Sequence, residues 1–124
     1  MRNVIKALII IMVMTTNGYS VVTEKPDYTK MARDAMQNQV NPLTDNHPKR
    51  ETAAMVGLME SAFLCQQKNK KEESCMEDYA ICLGDHITHY NNKGEKNKFN
   101  SDSEFTNLTR VCVDIVSKKK WLNK

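Results

Sequence analysis

Cys65-Gln66-Gln67-Lys68-Asn69-Lys70-Lys71-Glu72-Glu73-Ser74-Cys75 decides how this chain folds. The two cysteines stand symmetrically about Lys70, five residues to either side, and apolar, helix-compatible sequence continues beyond both. A charged centre between such flanks reads as the bend of an antiparallel helical hairpin, which brings the two thiols face to face. Cys82 lies seven residues past Cys75, two helical turns on and on the same side of the helix. Cys112 is left as its partner. Among the pairings four cysteines allow, the hairpin therefore predicts Cys65–Cys75 and Cys82–Cys112, and with them a small all-α, four-helix bundle stapled by two disulfides.

The start of the chain sets the compartment. Arg2 and Lys6 precede an apolar run of eight, Ala7 to Met14 (ALIIIMVM), and a polar exit follows with small residues Gly18 and Ser20. That is the order of an export signal over residues 1–20. Eight apolar residues fall well short of the roughly 20 that cross a bilayer, so no transmembrane anchor is expected after cleavage. No cysteine follows the cleavage point, which argues against a lipoprotein. One exported domain over residues 21–124 remains, periplasmic in a bacterium or secreted in a eukaryote, where an even number of cysteines forms bridges.

Removing the signal also changes the charge. The chain carries 18 basic and 15 acidic side chains; without Arg2 and Lys6, 16 face 15, a net of +1. That balance does not suggest nucleic-acid binding, which shows a strongly basic face. A domain this small has little core to spare. The shorter bridge should contribute about 2–3 kcal/mol and the longer about 3–4 kcal/mol, comparable with the roughly 5–10 kcal/mol net stability of such a domain.

Outward from the hairpin, the remaining helices follow. Asp27 is placed to cap a helix over 28–40, with Tyr28, Met31, Ala32, Ala35 and Met36 on one stripe, and Asn41-Pro42 should stop it. Pro48 suits the first turn of a second helix running to Gln67. On that helix Met55, Leu58, Met59, Ala62 and Cys65 share a face that Val56 and Phe63 widen, which predicts the most buried helix of the domain. Met76, Tyr79, Ala80, Leu83, Ile87 and Tyr90 give the third helix, over 72–90, its apolar side. Asn91 to Asn100 (NNKGEKNKFN) reads as a mobile loop. Ser101 and Glu104 have capping-box spacing for a fourth helix, buried through Phe105, Leu108, Val111, Cys112, Ile115 and Val116. The β-branched run 111–116 leaves a short strand as the alternative there. Trp121 and Leu122 are expected to fold back onto the body.

Few residues offer chemistry. Cys75, Cys82, His86 and His89 form one stripe of the third helix, and Cys82, His86 and His89 have a spacing that could present thiolate and imidazole to zinc or copper. With Cys82 bridged, only His86 and His89 remain, too few for a closed site, so no metal or other cofactor is expected. A nucleophilic cysteine needs a free thiol beside its base, and no serine sits in a nucleophile elbow. Glu72, Glu73, Glu77 and Asp78 read as a solvated cluster at a helix start, and no phosphate-cradling glycine loop occurs. Asn107-Leu108-Thr109 is a glycosylation sequon, relevant only in a eukaryote.

The expected function is accordingly non-enzymatic: an exported protein-binding domain of accessory or inhibitor type, with an unknown protein partner. Loops on a rigid scaffold carry function disproportionately, which points to Lys68, Lys70 and Lys71 in the bend and Lys93, Lys96 and Lys98 in the loop as contact residues. The alternative is a carrier of a small hydrophobic ligand, with a pocket between helices formed by Met55, Met59, Phe63 and Tyr79. The segment Cys112-Val113-Asp114-Ile115-Val116-Ser117-Lys118 resembles the C-terminal Cys-hydrophobic-Asp…Ser-Lys segment of small periplasmic immunity proteins. Those proteins are helical and guard bacteria against secreted cell-wall amidases. The likeness covers seven of 124 residues, and the cysteine spacing and the region before Cys65 depart from it. It implies a periplasmic inhibitor as one form of the binding role.

Overall fold

The computed structural model describes residues 27–119. The expected export signal and the Trp121-Leu122 tail lie outside the described residues. The elements are α1 (Tyr28–Ala35), a π-helical segment (Met36–Val40), α2 (Asn41–Thr44), α3 (Pro48–Gln67), α4 (Glu72–Asn92) and α5 (Asp102–Lys118). They form a small all-α bundle, with no strand among the described residues. The 111–116 run is helical. The bridges are Cys65–Cys75 and Cys82–Cys112, each with Cα atoms 5.8 Å apart, the pairing that the hairpin predicts.

The predicted caps are in place. Asp27 accepts from the Lys30 backbone N–H at 3.0 Å, and the Ser101 hydroxyl accepts from that of Glu104 at 3.2 Å. Pro48 occupies the first turn of α3, and Glu72 and Glu73 sit at the positive end of α4.

Asn41-Pro42 does not end the first helix. Asn41 is itself right-handed helical (φ −57°, ψ −40°), and its N–H reaches back five residues to the Met36 carbonyl. Proline inside an α-helix lacks a donor and presses on the carbonyl four residues earlier. A wider π turn directly before it breaks that register. Pro42 then falls in the first turn of α2, where no donor is needed. The chain turns only after Thr44, through Asn46 in the left-handed region (φ 65°).

The central helix is α4, not α3. It packs against α1, the π segment, α3 and α5, and buries Cys75, Tyr79, Ala80, Leu83, Gly84 and Ile87. Phe105, Leu108, Cys112 and Val116 of α5 complete the core, while Val111 and Ile115 remain on the surface. In α1 it is Ala32 and Ala35 that are buried; Tyr28 and Met31 are exposed. Ala35 meets Gly84 so closely that a Cβ there would lie 3.2 Å from the Ala35 Cα.

α3 shows the largest departure from expectation. Its buried face is Arg50, Ala54, Gly57, Ser61 and Cys65. Met55, Val56, Met59 and Phe63 face outward, 52%, 48%, 67% and 57% exposed. At 100° per residue the two sets lie on opposite sides of the helix. The cause is Tyr79: its fully buried ring lies against Gly57, and its hydroxyl donates to the Ala54 carbonyl at 3.0 Å. A large aromatic on α4 requires a channel of small residues on α3.

The loop after α4 is anchored. Phe99 is buried and meets Tyr90 edge to face, ring centres 5.4 Å apart. The buried Arg50 holds the same end of the bundle. Its guanidinium donates to Asp102 Oδ1 (2.9 Å), the Leu43 carbonyl (3.1 Å) and the Asn100 carbonyl (2.8 Å).

Candidate functional site

The outward face of α3 borders an open groove of about 600 Å³ between α3 and α5. Met59, Phe63, Leu64 and Val113 supply its apolar lining, and Glu60, Gln67, Arg110, Asp114 and Ser117 its polar rim. Near one end Lys68 donates to the Ser117 carbonyl at 3.1 Å. Asp114 is paired with Lys118 at 3.1 Å. Met55 and Val56 extend the apolar stripe along α3 beyond the groove.

This groove is not the pocket expected for a carrier. Tyr79 lies on the buried side of α3, away from Met55, Met59 and Phe63, so those four residues share no cavity. Burial pushes the Tyr79 phenol well above its ordinary range, and the nearby Glu60 charge pushes it the same way. It remains a neutral hydrogen-bond donor.

The six lysines separate into two groups at opposite ends of α4. Lys68, Lys70 and Lys71 are in the α3–α4 bend, with Lys71 at the position just before α4. At the far end Lys93 and Lys98 lie over the Tyr90 ring, 5.0 and 5.4 Å from its centre. Lys96 borders a small hollow beside Ile87 and Phe99. The 21 residues of α4 hold the two groups about 30 Å apart, so they do not form one contact surface.

The third-helix stripe also divides. All four cysteines are bridged. His86 Nδ1 lies 3.0 Å from the Cys82 carbonyl and 3.6 Å from Cys82 Sγ, and Cys82, His86 and Cys112 bring their ligating atoms within 4.8 Å of one another. His89 stands apart, edge-on to Tyr90. With both sulfurs bonded to each other, His86 is the only ligand this group offers.

Three of the four carboxylates near the start of α4 join it to neighbouring elements. Glu77 accepts from the Thr29 hydroxyl at 2.6 Å, Glu72 from the Gln66 side chain, and Asp78 pairs with Lys119 at 3.0 Å. The groove is hidden in the sequence because Met59 and Phe63, two of its four apolar lining residues, read as core. Glu60 and Arg110, five residues before Cys65 and two before Cys112, carry no sequence signal that would mark them as a rim. Neither a known protein family, a characterised protein nor a solved structure matches this chain.

Proposed function

We propose that this chain is an exported, non-enzymatic protein-binding domain, and that the outer face of α3 with the adjoining groove receives an amphipathic helix of its partner. The observation that carries this reading is the contiguous stripe Met55, Val56, Met59 and Phe63. Four large apolar side chains at helical spacing, left in water beside an open groove, are the surface a helix-in-groove interaction uses. Fully burying one such side chain contributes about 1.5–3 kcal/mol, so finishing the burial of Met59 and Phe63 gives roughly 1–2 kcal/mol each. The rim sets the partner's polarity: an acidic residue opposite Arg110 and a basic one opposite Glu60, flanking an apolar ridge. Export is supported by the basic and apolar N-terminal segment and by two disulfides, which fit a non-cytoplasmic environment. No helix among the described residues is long and apolar enough to cross a membrane.

A photo-reactive side chain at Met59, in protein recovered from the exporting host, tests the contact. The expected result is one adduct whose cross-linked peptide is an amphipathic helix, lost when Phe63→Glu is added and absent from a control probe at Lys96. An adduct only between copies of this chain, only with lipid, or equally from Lys96, overturns it.

A further inference from the structure

We propose that Cys82, Cys112 and His86 form a redox-gated site for a thiophilic divalent cation such as zinc. It is closed while the two sulfurs are bonded to each other and open once a dithiol reduces them. The inference does not depend on the protein-binding role.

The two bridges differ in access. Cys65 and Cys75 are both fully buried, whereas Cys82 is only partly buried. Thiol–disulfide exchange depends on reaching a sulfur, so an attacking thiolate reaches Cys82 Sγ first. Cys112 leaves as a thiolate. The second thiol of the reductant then displaces Cys82 and closes its own disulfide. The protein bridge gains two electrons and two protons, and the dithiol loses the same.

The geometry left behind suits zinc. Zn–S and Zn–N bonds of about 2.3 and 2.0–2.1 Å place a sulfur and a nitrogen roughly 3.6 Å apart on a tetrahedron, and two sulfurs roughly 3.8 Å apart. His86 Nδ1 already stands 3.6 Å from Cys82 Sγ. The sulfurs need only part to the second distance, within reach of side-chain rotation between Cα atoms 5.8 Å apart. Nδ1 must give up its contact with the Cys82 carbonyl, which the α4 backbone ladder already supplies with a donor. Its proton moves to Nε2, and binding releases both thiol protons. Three protein ligands leave a fourth position for water, so His89 is not required.

The test uses the full oxidised chain. It is treated with graded dithiothreitol, quenched with iodoacetamide and mapped by mass. A parallel sample is desalted under nitrogen and titrated with Zn²⁺ against a chromogenic chelator, with helix content followed by circular dichroism. Cys82 and Cys112 are expected to label before Cys65 and Cys75. The reduced protein should take up one zinc and the oxidised protein none. His86→Ala should weaken binding by more than the roughly 100-fold that losing a mere outer-shell partner can cost, and Cys82→Ser with Cys112→Ser should abolish it. Earlier labelling of Cys65 and Cys75, zinc affinity unchanged in His86→Ala, no uptake, or helix lost on reduction and not restored by zinc would each overturn the proposal.

Discussion

Gly57→Ala is the sharpest test of how α3 meets α4. In an exposed helix the change would stabilise by about 1 kcal/mol. Here the new Cβ would lie 2.8 Å from Tyr79 Cε1 and closer still to the phenol carbon and hydroxyl. Tyr79 is fully buried, and its hydroxyl is held by the Ala54 carbonyl, so the ring cannot withdraw without losing that bond. Overpacking costs about 2 kcal/mol, and a buried hydroxyl left without its acceptor about 2 kcal/mol more. Set against the helix gain, the net loss is about 3 kcal/mol. For a domain of this size that lowers the melting temperature by roughly 12–24 °C, measurable by far-UV circular dichroism. In a Tyr79→Phe background the same change should cost about 2 kcal/mol less, because no hydroxyl remains to be stranded. A Gly57→Ala protein as stable as the parent, or a cost unaffected by Tyr79→Phe, refutes the close approach.

Arg50→Ala should destabilise by about 2–4 kcal/mol, because three charge-assisted hydrogen bonds are lost at a site that joins Leu43, Asn100 and Asp102; urea midpoints measure it. The raised Tyr79 phenol predicts a pH dependence. Its contribution is fully present below about pH 10, where the unfolded phenol begins to ionise, and is lost progressively above that as pH rises toward the folded value. Parent and Tyr79→Phe should therefore diverge by up to about 1.4 kcal/mol per pH unit above pH 10, with equal slopes refuting the buried neutral phenol. Phe63→Glu, on the outer stripe, should change stability by no more than about 0.5 kcal/mol; a loss above about 2 kcal/mol would place Phe63 in the core.

The hairpin, the caps and the Cys65–Cys75 bridge were legible because each depends on short-range rules, and Cys82–Cys112, 30 residues apart, then followed by elimination. Five residues on either side of Lys70 fix a bend, and Ser101 with Glu104 or Pro48 at a first turn fix helix starts. The inward face of α3 was not legible. Met55, Met59 and Phe63 are more apolar than Ala54, Gly57 and Ser61, and hydrophobic pattern alone turns the helix the wrong way. What decides is the size of Tyr79, 22 residues further on in sequence, and size complementarity between helices leaves no periodic trace in either one. Arg50 was hidden for a similar reason: its partners lie seven, 50 and 52 residues away. Phe99 sits inside a polar run that reads as a mobile loop, although a lone aromatic there is itself a signal of anchoring. At Pro42 the local rule was sound but incomplete, since a π turn just upstream lets the helical path continue.

The inward turn of the small-residue face bears on what α3 is for. A helix that supplied the core with its largest side chains would have nothing left to offer a partner. In this bundle Tyr79, Leu83, Ile87, Phe105, Leu108 and Val116 fill the interior from α4 and α5. α3 is held to them by the Cys65–Cys75 bridge, the Tyr79–Ala54 hydrogen bond and the Arg50 contacts. None of these ties involves the outer stripe. Its four large residues remain about half exposed or more, and leaving that surface in water is unfavourable compared with burying it. Among the described residues the stripe has no tie to the core that would require it to be apolar, which is what the proposed partner helix along α3 would account for.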